Sequence, residues 1–201
     1  FFSKKIELGI KGAYGFGDRK WKYGATLRGN VGGKKRAVLS LFYNYDIEQI
    51  GLSPYAIGVG NTFATLFSTA AFDKLTFLKK TGAKLEKDFG KDILISVGAE
   101  WKQFNPLGLA NFLRPNSNSG IIDTITQITT AEFSGLIRWA KDEEYISGAF
   151  DRTSIRSKFP AISLQGIFGV KNLLGSEYNY QKIQFYIEHK TQLGILGRLE
   201  Y

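Results

Sequence analysis

The 201-residue chain has no cysteine and no methionine, one histidine and four prolines. Without cysteine there is no disulfide framework and no thiolate metal site. One ring, His189, cannot build a histidine-based metal centre. No serine lies in a nucleophile motif, so acyl-transfer chemistry has no visible start. Gly58-Val59-Gly60 lacks a further glycine three residues on, which excludes a phosphate-cradling loop. The expectation is no catalytic residue, no cofactor site and no metal site. Signal-peptide patterning is missing too: the chain starts at Phe1-Phe2-Ser3-Lys4, as a mature protein or a piece of a longer one would. The prolines (Pro54, Pro106, Pro115, Pro160) fall between alternating runs, where β-strands tolerate them.

What the chain has is glycine, at 23 residues, and aromatic side chains, at 14%. Both favour strands. Residues 5–16 read KIELGIKGAYGF, with Ile6, Leu8, Ile10, Tyr14 and Phe16 on one face and Glu7 and Lys11 on the other. After a turn at Gly17-Asp18-Arg19-Lys20, residues 21–31 set Trp21, Tyr23, Ala25, Leu27 and Val31 against Lys22, Thr26, Arg28 and Asn30. After Gly32-Gly33-Lys34-Lys35-Arg36, a third run aligns Ala37, Leu39, Leu41, Tyr43, Tyr45 and Ile47. Period-2 alternation marks strands with one apolar and one polar face. These runs last roughly 10–12 residues, against about 5–6 for an ordinary strand. About 9–11 tilted residues cross a bilayer.

The same alternation returns at residues 74–88, 93–104, 128–140, 161–171, 181–191 and 194–201. Lys79-Lys80 interrupts the first of these, which suggests a bulge or a strand end lying above the membrane. Residues 145–157 read as a strand of unfixed register. Residues 105–127 and 172–180 read as loops. The uncharged stretch 50–72 is long enough for a membrane helix, but its glycines and Pro54 favour a long loop with a short helix near 61–70, at the membrane interface or capping a barrel. The pattern predicts about ten long strands in an all-β, antiparallel, up-and-down transmembrane barrel, or part of one.

The polar face carries Glu7, Lys11, Lys22, Arg28, Glu100, Lys102, Glu132, Arg138, Lys182 and Glu188, with Asp46, Glu48 and Lys190. If these residues line a lumen, their mixed signs suit a salt-bridged filling or a weakly selective channel. Tyr14, Trp21, Tyr23, Tyr43, Trp101 and Trp139 gather near strand ends, as interfacial aromatic girdles do. His189 reads as an interfacial ring on the apolar face. Asp142-Glu143-Glu144 reads as a solvated acidic turn without the alternate spacing of a calcium loop. The net charge of +9 is scattered through turns and strands, so no nucleic-acid-binding stripe forms.

From residue 128 onward the chain resembles the outer-membrane barrel region of a Bacteroidota family, DUF5686. The resembling pieces are Thr129-Thr130-Ala131-Glu132, Ala140-Lys141-Asp142-Glu143, Phe150-Asp151-Arg152, Ser157-Lys158-Phe159-Pro160, Gly169-Val170-Lys171 and Leu174-Gly175-Ser176-Glu177-Tyr178. Upstream, Asp46-Ile47-Glu48-Gln49-Ile50-Gly51 and Asp73-Lys74-Leu75 match as well. Members of that family often carry an N-terminal carboxypeptidase-regulatory-like domain, which these residues do not contain. The resemblance implies that residues 1–201 are a single barrel region within a larger barrel, although Tyr201 on an alternating face would also suit a barrel's last residue. It implies the bacterial outer membrane as the location, with the lipid bilayer, lipopolysaccharide and envelope proteins as partners. The expected function is non-enzymatic: transport, or a scaffold for envelope assembly. A soluble β-sheet ligand-binding protein is the alternative, and an outer-membrane hydrolase the weaker one.

Overall fold

The computed structural model describes residues 5–16, 18–33, 35–49, 75–107, 112–115, 122–192 and 198–200. Eight strands form one sheet: β1 (Ile6–Gly15), β2 (Lys20–Asn30), β3 (Ala37–Gln49), β4 (Leu75–Phe89), β5 (Ile93–Pro106), β8 (Ile128–Trp139), β11 (Ala161–Gly169) and β12 (Tyr180–Glu188). Their spatial order is their chain order, and every neighbouring pair is antiparallel. The expected all-β, antiparallel, up-and-down class is therefore the observed one. Among the described residues β1 pairs only with β2, and β12 only with β11.

The count of about ten long strands needs correction. Six short strands leave the main order and pair as three hairpins: β6 (Phe112–Pro115) with β7 (Ile122–Ile125), β9 (Glu143–Ser147) with β10 (Arg152–Ser157), and β13 (Lys190–Gln192) with β14 (Arg198–Glu200). Residues 145–157 are thus no strand of the main sheet. Gly148 and Asp151 close a tight turn inside them, the Gly148 N–H donating to the Asp151 carbonyl at 2.8 Å. The loop expected at 105–127 contains the β6–β7 hairpin. No bulge occurs at Lys79-Lys80: β4 stays in register with both neighbours from Thr76 to Lys87. The strand end resolves the conflict instead. Lys79 lies on the apolar face near the end of β4, its ammonium 5.6 Å from the Trp101 ring centroid. Lys80 lies on the polar face beside Glu48. The loop and short helix expected within 50–72 lie outside the described residues, as does Tyr201.

Connections at the two ends of the sheet differ. Residues 16–19, 50–74, 107–127 and 170–179 join strands at one end, the long-loop end. Residues 31–36, 90–92 and 140–160 join them at the other, the short-turn end. Gly90 makes the tight turn there, with a φ of 72° that a side chain would resist.

Register sorts the side chains into two faces. Leu8, Leu27, Leu41, Ala83, Ala99, Phe133 and Phe168 belong to one, as do Val97, Ile137, Leu164 and Phe185. This apolar face is open: Ile10 is 78% exposed and Ile183 71%. The buried apolar residues are few. Val38, Ala140, Phe150 and Ala161 lie toward the short-turn end, and Phe77, Leu78 and Ala131 toward the long-loop end. The polar face of the sheet, by contrast, is crossed by the β9–β10 hairpin.

Candidate functional site

All ten polar-face residues read from the sequence fall on one face. Glu7 and Lys11 of β1 stand beside Arg28 and Gly24 of β2. Glu100 and Lys102 of β5 face Glu132 and Thr130 of β8. Arg138 faces Ser163 of β11, Lys182 faces Ile167, and Glu188 faces Ala161. Lys22 lies on this face and pairs with Asp18 in the first turn at 3.1 Å.

Glycines make the room these side chains use. A Cβ on Gly82 would stand 2.5 Å from the Ala99 carbonyl and 2.8 Å from the Phe42 ring. That position admits only glycine beside Phe42. Lys11 reaches over β2 and donates to Asp46 of β3 at 2.8 Å, past Gly24, where a Cβ would come within 2.8 Å of the lysine stem.

Two ion-pair clusters form. Toward the long-loop end, the Lys102 ammonium bridges Glu132 at 2.7 Å and Glu100 at 3.0 Å. Thr130 and the Tyr180 hydroxyl also donate to Glu132. Glu100 and Glu132 are direct cross-strand neighbours, an arrangement of like charges that repels unless a cation sits between them. Lys102 is that cation.

The second cluster lies at the short-turn end and is built almost wholly of arginine and carboxylate. Arg138 grips Glu143 with two parallel bonds of 2.8 and 2.6 Å. Arg152 donates to the same carboxylate at 3.0 Å and to the Lys91 carbonyl at 2.8 Å. Its guanidinium also stands 3.6 Å from Asp88 and over the Tyr145 ring. Arg36 contacts Glu86 and Asp88, and donates to the Phe150 carbonyl. At the hairpin tip Arg28 grips Asp151 with bonds of 2.6 and 3.2 Å, while also holding Glu7 at 2.7 Å. Asn30 donates to the Ala149 carbonyl at 2.8 Å. Planar, always-charged guanidinium with forked donors suits these bidentate contacts in a way that lysine does not.

The hairpin therefore starts beside β8 and β11 and ends on β2 and β3. Burial opposes ionisation of Glu143, but the hydrogen bonds from Arg138 and the charges of Arg138 and Arg152 outweigh it and hold the carboxyl below its ordinary range. The hydrogen bond from Arg28 does the same for Asp151, against a smaller opposing effect of burial.

Sequence reasoning missed this second cluster in large part. It placed Arg28 and Arg138 on the polar face and Arg36 in the turn it occupies, but did not join Arg36 to Glu86 and Asp88. Glu143, expected in a solvated turn, is buried: its side chain is 1% exposed. The signal was present in Gly148-Ala149-Phe150-Asp151, a turn former and an aspartate between two five- or six-residue runs too short to match the other strands.

The aromatic set splits. Tyr14, Trp21, Tyr23 and Tyr43 lie on the apolar face of β1 to β3 in two groups of neighbouring rings. Tyr14 and Trp21 centroids are 5.2 Å apart, Tyr23 and Tyr43 5.9 Å. Tyr45 and Phe77 continue the second group onto β4, stacked at 5.4 Å. Trp101 lies toward the same end on β5, its ring N–H donating to the Leu174 carbonyl at 3.1 Å. Trp139 lies alone of the six at the short-turn end. His189 follows β12 directly at that end. Among the described residues no cluster of His, Asp or Glu could hold a metal ion, and no helix is long and apolar enough to cross a membrane.

The class defined by this fold and site is an antiparallel β-meander with an open apolar face and an ion-paired face crossed by its own hairpin. The chain belongs to the family of unknown function DUF5686, whose C-terminal domain matches residues 2–201. No curated protein and no solved structure matches it.

Proposed function

We propose that this chain is the wall of an outer-membrane β-barrel, with lipid on its apolar face and a hydrated lumen on its polar face. One observation carries the reading: the sheet leaves its apolar face open, while its own hairpin crosses the short-turn end of the charged one. A soluble sandwich does the reverse, since apolar burial is what drives its packing. Strands of 9–15 residues match a tilted bilayer crossing. The rings at the long-loop end suit a membrane–water interface. A charge facing lipid near the midplane costs about 2–4 kcal/mol, and the charged residues of the central strand segments all avoid that face.

On this reading the membrane is the bacterial outer membrane, and the partners are its lipid, its lipopolysaccharide and envelope proteins. The role is transport or a scaffold for envelope assembly, without catalysis. Full-length protein should stay monodisperse only in detergent or lipid. A monodisperse, folded protein in plain buffer would refute the membrane reading and favour the soluble ligand-binding one. Planar-bilayer conductance then separates a channel from a scaffold: a correctly inserted but electrically silent barrel is a scaffold.

A further inference from the structure

Hairpin β9–β10 departs from the strand order at the short-turn end and lies across the charged face. We propose that it is a gate: a flap hinged beside β8 and β11 and latched by its tip to β2 and β3, closing that mouth of the lumen. The proposal rests on the reading of the polar face as a lumen.

Dimensions allow the span. From β8 to β2 there are four inter-strand steps in the sheet, about 19 Å at about 4.8 Å each. Hairpin strands of five and six residues reach about 16–20 Å, and the Arg28 and Asn30 side chains close the rest.

The two attachments differ in kind. At the hinge, Arg138 stands near the end of β8 and Glu143 opens β9 only five residues on in the chain, so the short link keeps the pair together through a pivot. Ala140 is wholly buried, and its N–H is fixed to the Asp92 carbonyl at 2.8 Å. At the tip, Arg28 and Asp151 are 123 residues apart, so their contact exists only while the flap is down. The Asp151 side chain is 71% exposed, where water and salt compete for its partner. The other tip contacts end on the carbonyls of Ala149 and Phe150, which water can equally satisfy. Phe150 is the single large apolar side chain buried at the tip. A two-stranded hairpin is marginal by itself, so its position depends on this latch. A permanent plug would be fastened by packing. This one is fastened at the free end by polar contacts, which are exchangeable.

The test uses full-length protein with Ala149→Cys as a reporter at the tip. Asp151→Asn keeps the shape and removes the charge. It should raise the labelling rate of the cysteine by a bulky maleimide about two- to fivefold, the loss expected of one exposed ion pair. It should also raise single-channel conductance or open probability in planar bilayers. Adding Asn30→Cys to Ala149→Cys and oxidising the pair should hold conductance at its lowest level, and reduction should restore it. Faster labelling with unchanged conductance would show a loose filler and overturn the gate. So would an oxidised pair that conducts like the reduced one. A protein that folds in buffer and never inserts would overturn the lumen reading and the gate together, an outcome set apart because labelling is read without a membrane.

Discussion

Replacing Glu143 with alanine tests whether the hinge cluster is as stiff as its burial implies. The carboxylate receives two bonds from Arg138 and one from Arg152. The Arg138 side chain is 19% exposed and that of Arg152 5%. Removing the acid leaves two guanidinium groups short of their counter-charge. Stranding a buried charge costs about 3–5 kcal/mol. Arg152 keeps Asp88 at 3.6 Å and the Lys91 carbonyl, which places the expected loss at the lower end, about 3 kcal/mol. Asp151→Asn, at the exposed tip, should cost no more than about 1 kcal/mol. Hydrogen exchange at the hairpin amides, Gly148 above all, reads the local opening free energy for each variant. At about 1.4 kcal/mol per factor of ten, Glu143→Ala should speed exchange by about a hundredfold and Asp151→Asn by no more than about fivefold. Equal effects would refute the division into a buried hinge and an exposed latch. An unchanged rate in Glu143→Ala would show that the carboxylate does not hold the hairpin.

Three further outcomes follow from the same geometry. Val97, central in β5 and 51% exposed on the apolar face, should tolerate lysine poorly in lipid: refolding into vesicles should lose about 2–4 kcal/mol, where a water-facing site would lose almost nothing. The tip should loosen in acid. Asp151 and Glu143 have carboxyls held below their ordinary values of 3.8 and 4.5, so their contribution is complete above those values and is lost as pH falls through the lower folded ones. A spin label at position 149 should therefore stay immobile at pH 6 and become mobile only below about pH 4; loosening already at pH 6 would contradict this. Trp101→Phe removes one hydrogen bond to the Leu174 carbonyl, about 0.5–1.5 kcal/mol, and should raise proteolytic nicking at the 3-10 turn of Leu173–Gly175 without altering the hairpin.

Alternation made the eight long strands legible, because each residue's face follows from parity alone once a strand is continuous. β1 to β3 end within two residues of where their alternation stops. It failed where strands are short. In β9 and β10 five or six residues give too few alternations to fix a period, and charged residues occur on both faces because one packs on the sheet and the other meets water. Lys79 misled for a different reason. A lysine near a strand end can lie along an aromatic ring and keep its ammonium in water, so the apolar face admits it without a bulge. Lys102 between two glutamates was visible as polar-face chemistry. That it neutralises a like-charge pair required the register of β5 against β8, which no local pattern contains.

The hairpin decides what the polar face can be. A face that served only to fill a barrel could be closed by side chains projecting from its own strands, as the cluster around Lys102 does toward the long-loop end. At the short-turn end the sheet instead supplies Arg28, Arg36 and Arg138, and the hairpin brings the acids Glu143 and Asp151 and a further arginine. The sheet side pairs Arg28 with Glu7 and Arg36 with Glu86 and Asp88, and the tip adds an Arg28–Asp151 pair shared between segments far apart in the chain. On the gate reading, the pair shared between the wall and the flap is made when the flap is docked and is hydrated when it is raised. Strand-borne clusters have no such second state. If the sheet is the barrel wall proposed above, the short-turn end, rather than the cluster around Lys102, is where control of passage is to be sought.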